Sequence, residues 1–221
     1  MAFAHSPKIV TDGMVFYYDT GNSKSYKGAP TTNMILDPLY KLGTIADFFD
    51  VSNGGWGTVA RGKIEDVVGP YGQTVKAYSQ ELLSYTSTNR SMEGQPSDVV
   101  GGTNSRFYLE AGTTYRISAW IKGSFNGSSS NLLYISGTAS SGDVLRAFTT
   151  EWQRFSRTYT PSTTGYYTMR HYNYASNKNV GDKTWYTLPQ VEVNLGHATP
   201  FIEGTRSATE GLKDLTGNTS I

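Results

Sequence analysis

Arg106-Phe107-Tyr108-Leu109-Glu110-Ala111-Gly112-Thr113-Thr114-Tyr115-Arg116-Ile117-Ser118-Ala119-Trp120-Ile121-Lys122 is the stretch on which the fold reading turns. Phe107 and Leu109 lead into a turn at Glu110-Ala111-Gly112, and strict alternation follows. Tyr115, Ile117, Ala119 and Ile121 fall on one face; Arg116, Ser118, Trp120 and Lys122 fall on the other. Period-two alternation of β-branched and aromatic residues is what a strand with one buried face requires. The second face mixes a large aromatic with two cations and a hydroxyl. Such a surface suits either a flat polar ligand or a half-buried edge.

Working outward, turn signals separate similar stretches. Strands are expected at Thr58 to Val68, Thr74 to Ala77, Glu81 to Tyr85, Leu132 to Ser136, Val144 to Phe148, Glu151 to Thr160, Tyr166 to Tyr174 and Lys183 to Asn194. Ile9 to Asp19 reads as a further short strand. Leu39, Leu42, Ile45, Phe48 and Phe49 have a near-helical spacing, so a helical turn is expected within Asp37 to Asp50. Ser52 to Gly57 is a glycine-rich turn bearing Trp56. Ser87 to Ser105 reads as a long loop, Gly123 to Asn131 as a surface loop, and Gly196 to Arg206 as a tail without regular elements. Trp152, Phe155 and Tyr159 are the aromatic bodies of their strand, with Trp152 and Trp185 expected in the core. Seven to ten short strands with turns between them imply an all-β sandwich or jelly roll.

Composition agrees with this class. The 221 residues include 24 Gly and 16 Tyr, and only 17% are charged. A net charge of +1 provides no general field for nucleic acid or an anionic membrane. Cys is absent, which excludes disulfides and thiolate metal sites. Met1 to Lys8 shows no basic region followed by an apolar run, so no signal peptide is read there. No apolar run approaches the ~18 residues of a membrane span. The division expected is an arm over residues 1–32, a jelly-roll β-sandwich over 33–203, and a tail or linker over 204–221.

Several segments carry a resemblance. Tyr115 to Gly123, followed by Glu151-Trp152-Gln153-Arg154-Phe155 and then Tyr159-Thr160-Pro161, resembles carbohydrate-binding-module-like jelly rolls. The ending Gln190-Val191-Glu192-Val193, then Ala198-Thr199-Pro200-Phe201-Ile202-Glu203-Gly204-Thr205-Arg206, is similar to the closing segment of such domains in tailed-phage structural and fibre proteins. Ile9-Val10-Thr11-Asp12-Gly13-Met14-Val15, with Tyr18-Asp19 and Gly21-Asn22, resembles the opening of phage proteins carrying concanavalin-A-like (laminin-G-type) domains. Asp214-Leu215-Thr216-Gly217-Asn218 would resume that second domain.

The resemblance implies a non-enzymatic virion structural protein: a fibre, collar, tail or capsid-decoration component. Its implied partners are other virion proteins, further copies of itself (a homotrimer is the usual state of such appendages) and a host-surface glycan. Release by lysis would then account for the missing signal peptide. The alternative is a carbohydrate-binding module of a bacterial polysaccharide-degrading enzyme.

Sugar binding by a jelly roll needs aromatic faces on one sheet and polar groups beside them. Trp120, Tyr172, Tyr174 and Tyr186 are the candidates, with Arg116 and Arg170 as hydrogen-bond partners. The same residues also suit a core or a subunit interface, where Trp and Tyr are enriched. No cofactor is expected. Calcium is common in the resembled sugar-binding jelly rolls, and Asp37, Asp66, Asp182 and Glu192 are the carboxylates that could hold it, although no spaced acidic loop is present. Glu81, Glu93, Glu110, Glu151 and Glu192 are scattered, without the spacing of an opposed acid pair. No nucleophile elbow, phosphate loop or zinc motif accompanies His5, His171 and His197.

Overall fold

The computed structural model describes residues 31–35, 38–41, 58–85, 92–94, 106–137, 142, 144–194, 196 and 198–206. Thirteen β-strands and no helix occur among them. They are β1 (Thr31–Thr32), β2 (Thr58–Val68), β3 (Thr74–Tyr85), β4 (Met92–Gly94), β5 (Arg106–Leu109), β6 (Tyr115–Gly123) and β7 (Gly127–Ser129). Then follow β8 (Tyr134–Gly137), β9 (Arg146–Phe148), β10 (Gln153–Tyr159), β11 (Gly165–Asn173), β12 (Lys183–Val193) and β13 (Thr205–Arg206). The strand at Ile9 to Asp19, the Trp56 turn and nearly all of the helical stretch lie outside the described residues.

One sheet has the order β10-β6-β12-β3-β2, and a second pairs β11 with β4, β5 and β8. Every pairing is antiparallel. The chain is an all-β sandwich of jelly-roll type. Tyr115, Ile117, Ala119 and Ile121 face inward from β6, all but excluded from solvent, and meet Phe107, Leu109, Ile135, Tyr167 and Met169 in one core.

Local chemistry sets the turns. β2 and β3 form one hairpin closed by Gly69 N–H to the Gln73 carbonyl (2.7 Å). Gly72 in its tip has φ 84°, a left-handed value that glycine takes without Cβ strain. The two strands expected at Thr74–Ala77 and Glu81–Tyr85 are therefore one continuous β3, because Tyr78 to Gln80 stay in register with both neighbours. The long loop at Ser87–Ser105 contains β4, held on β11. The surface loop at Gly123–Asn131 contains β7, which pairs β9.

The tail also carries an element. Thr31 and Thr32 pair with Arg206 and Thr205, and this two-stranded ribbon is pinned to β12 by buried side chains. Asn33 accepts the Ile35 and Val191 N–H groups and donates to the Pro189 and Ile202 carbonyls. The buried Glu192 carboxylate accepts from the Thr31 hydroxyl (2.9 Å) and from the Thr199 N–H and hydroxyl (2.9 and 2.7 Å). Gln190 bonds Thr199 and Ile202. The Gln190-x-Glu192 and Ala198-Thr199-Pro200 spacing is thus the spacing of a clasp.

Candidate functional site

The six residues singled out from the sequence are divided among three places. Arg116 and Trp120 lie on the outer face of the five-stranded sheet. Arg170, Tyr172 and Tyr174 belong to the outer side of β11 and its continuation. Tyr186 is fully buried between the sheets, its ring 3.9 Å from that of His171 and stacked on it at 22°.

Tyr186 therefore offers no face to a ligand. The expectation for this strand was inverted, since Trp185 is the half-buried outward residue. Pairing decides the parity: Tyr186 stands opposite Ile121 and Tyr78, both core residues, while Trp185 stands opposite Lys122. Trp152 is likewise half-buried and outward rather than in the core.

The outer face of the five-stranded sheet is bonded mostly to itself. The Lys122 amine lies over the rings of both Trp152 (4.8 Å) and Trp185 (5.3 Å), a double cation–π contact. The Trp152 indole N–H donates to the Val68 carbonyl (2.8 Å), and that of Trp185 to Glu65 (2.6 Å). Trp120 meets Tyr71 edge-on at 5.4 Å. Arg116 is tied to Asn194 and the Gly196 carbonyl. Lys183 stands between Glu65 and Glu81 at 3.9 and 3.8 Å, so the sheet brings two carboxylates around one cation. Most rings and charges of this face are thus engaged with one another, while the Trp120 indole N–H has no partner among the described residues and Tyr71 beside it is exposed.

The other sheet presents a different surface. On β11, Tyr167, Met169, His171 and Asn173 point inward and are buried. Tyr166, Thr168, Arg170 and Tyr172 therefore point outward. Register adds Tyr108 opposite Tyr166, Ser136 opposite Thr168, and Tyr134 opposite Arg170. The result is a row of tyrosines with hydroxyls and a guanidinium between them.

At one end Tyr108 and Tyr166 meet edge to face at 5.3 Å, with 51% and 63% of their surface exposed. At the other end Tyr172 packs edge-on against Tyr134 (4.9 Å) and lies parallel to Tyr174 (5.4 Å, 21°). Tyr172 is itself covered by these neighbours, so Tyr134 and Tyr174 are the half-exposed rings of that group. From Tyr166 to Tyr172 the row runs about 20 Å at ~3.3 Å per residue. Tyr134, Tyr108 and Tyr166 were not singled out from the sequence. Tyr166 shares the outward parity of Arg170 and Tyr172 on β11, and register against β11 adds Tyr108 and Tyr134.

The carboxylates considered for calcium are apart. Glu192 belongs to the clasp, Asp66 pairs with Lys76 (3.3 Å), and Asp182 bonds Ser124 and the Asn179 N–H. Asp37 lies outside the described residues. No group of three His, Cys, Asp or Glu side chains placed to hold a metal occurs among the described residues.

No protein-family model matches the chain, and no curated protein sequence matches it. Solved structures similar to it include a CBM4 carbohydrate-binding module, at 14% identity and TM-score 0.46, covering 72% of this chain and 99% of that one. TmCBM61 in complex with β-1,4-galactotriose matches at 15% identity and TM-score 0.37, covering 73% and 99%. The tripod from the baseplate of bacteriophage Tuc2009 matches at 14% identity and TM-score 0.35, covering 79% of this chain and 59% of that one.

Proposed function

We propose that the chain is a non-enzymatic structural protein of a bacteriophage virion whose jelly roll contacts host-surface glycan through the outer face of β11. The observation that carries the glycan reading is the exposed tyrosine row. Tyrosine offers a wide apolar ring at a small entropy loss together with a hydroxyl that bonds. Sugar rings have apolar C–H faces and hydroxyl rims, and Thr168, Ser136 and Arg170 stand between the rings to meet those rims. The virion assignment is supported by the resemblance of Ile9–Val15, Gln190–Val193 and Ala198–Arg206 to phage structural proteins. Self-association, as a trimer, belongs to the same reading.

The same face also supports a carbohydrate-binding module of a polysaccharide-degrading enzyme. Assembly state separates the two. An array of bacterial surface polysaccharides and β-1,4-linked oligosaccharides, probed with the whole chain, should show binding that Tyr174→Ala and Tyr166→Ala each weaken about tenfold. Light scattering after size-exclusion chromatography should show an oligomer that is lost when residues 1–30 are removed, which leaves β1 in place. A monomer that binds sugars would favour the module. A chain that binds none of the array, or binds it equally after both substitutions, would remove the glycan reading.

A further inference from the structure

Lys178 is the anomaly of the molecule: a lysine with 0% of its surface exposed, in the connection between β11 and β12. Lysine is almost never fully buried unless its terminal nitrogen is engaged, because taking that group out of water is strongly unfavourable. Its Nζ donates to the Asn173 main-chain carbonyl at 2.6 Å and reaches the Asn173 Oδ1 at 3.5 Å. Asn173 lies between Tyr172 and Tyr174, the parallel pair of the tyrosine row.

Two more fully buried polar groups act on the same three residues. Asn173 Oδ1 accepts the Ala175 N–H at 2.9 Å, which turns the chain just after the strand. Ser129 Oγ accepts the Tyr174 N–H at 2.8 Å and lies 3.2 Å from the Tyr172 carbonyl. The Tyr172 N–H donates to the Asn131 carbonyl at 3.3 Å. Ser129, Asn173 and Lys178 are each at most 1% exposed. The backbone of Tyr172-Asn173-Tyr174 is thus held from beneath by a buried bracket, while on the outer side the Tyr172 ring is covered and the Tyr174 ring is half-exposed.

A strand end would ordinarily fray, and two tyrosines two residues apart would sample many ring arrangements. Fixing the backbone removes that freedom before a ligand arrives, which is how preorganisation raises affinity. We infer that Lys178 is a positioning residue, holding the Asn173 carbonyl so that the covered Tyr172 ring backs the half-exposed Tyr174 ring, which is then preset to meet a sugar ring. Its binding consequence rests on the glycan reading above; its effect on the two rings does not.

The test compares the whole chain with Lys178→Met, Lys178→Arg and Ser129→Ala. Ring-proton chemical shifts of Tyr172 and Tyr174, measured without ligand, report the stacked pair. Urea unfolding reports stability, and β-1,4-linked gluco-, xylo- and galacto-oligosaccharides serve as binding probes. In Lys178→Met the stacked-ring shifts should collapse toward free-tyrosine values at temperatures where the protein is still folded. Affinity for a bound probe should fall about tenfold, with partial recovery in Lys178→Arg. Should Lys178→Met not fold, Ser129→Ala, which loosens the same backbone from the other side, should move the same ring shifts. Lower stability with unchanged ring shifts and unchanged affinity would overturn the inference. If the wild type binds none of the probes, the glycan reading fails at that site, and the ring shifts alone still decide whether Lys178 positions the pair.

Discussion

His171 shows how much one buried side chain contributes. It lies on the inner face of β11, stacked on Tyr186, with Nδ1 3.3 Å from the Leu132 carbonyl. Burial pushes its pKa from the ordinary 6.5 down to about 3, partly opposed by the bond to Leu132. The folded ring stays neutral until pH approaches 3, whereas the unfolded ring takes a proton near 6.5. The unfolded state therefore binds the extra proton in between. The stabilisation is complete above pH 6.5 and is lost as pH falls toward 3. Between pH 7 and pH 5 the loss should reach about 2 kcal/mol. Urea midpoints measured across that range should fall in the wild type, and much less in His171→Gln.

The two residues Trp185 and Tyr186 mark where reading a sequence stops at this scale. Both are large aromatics with a polar atom, and each alternates equally well with its neighbours. Inward and outward are assigned by the partner strand, through Ile121 and Tyr78, and neither partner is adjacent in sequence. On β6 the choice was legible, because small and apolar residues held one face and charges the other.

At the scale of elements, strands whose side chains alternate were readable to within a residue or two. β2, β6, β10, β11 and β12 all lie where their patterns placed them. β4, β7 and β13 were not readable. Each has two or three residues, several of them Gly, Ser or Thr, and exists because a distant strand supplies its hydrogen bonds. The clasp between β1, β12 and β13 is the strongest case, since its polar residues resemble loop chemistry until their partners are known. Asn33 makes four bonds to main-chain groups in a buried position. Asn33→Ala should lower unfolding free energy by about 2–4 kcal/mol, because buried N–H and C=O groups lose their partner. Chemical denaturation measures it; a change below about 0.5 kcal/mol would mean that water replaces Asn33 at no loss.

At the scale of the whole molecule, the two outer faces divide the aromatics among the described residues. Trp120, Trp152 and Trp185 lie on the five-stranded sheet, while the exposed tyrosine row lies on the other. In a chain carrying Trp56→Phe, a sugar bound at the row should therefore leave tryptophan emission nearly unchanged, and Trp185→Phe should leave affinity within about twofold. A shift in tryptophan emission that follows the binding curve would move the site to the opposite sheet. Arg170, Tyr172 and Tyr174 were singled out on one expected strand, and the structure places them together on the outer side of β11 and its continuation; Tyr108 and Tyr134 come from other strands and needed the register.

The ribbon of β1 and β13 also has a mechanical meaning. Residues 31 and 206 stand opposite each other, so a pull applied through the two flanks enters and leaves the body at one place. The load would open the ribbon one rung at a time, in the manner of a zipper, with the Thr31–Glu192 bond as the first lock and Asn33 as the next. Both sheets, and the tyrosine row with them, hang beside the line of tension rather than along it, so they keep their shape while the tether is stretched.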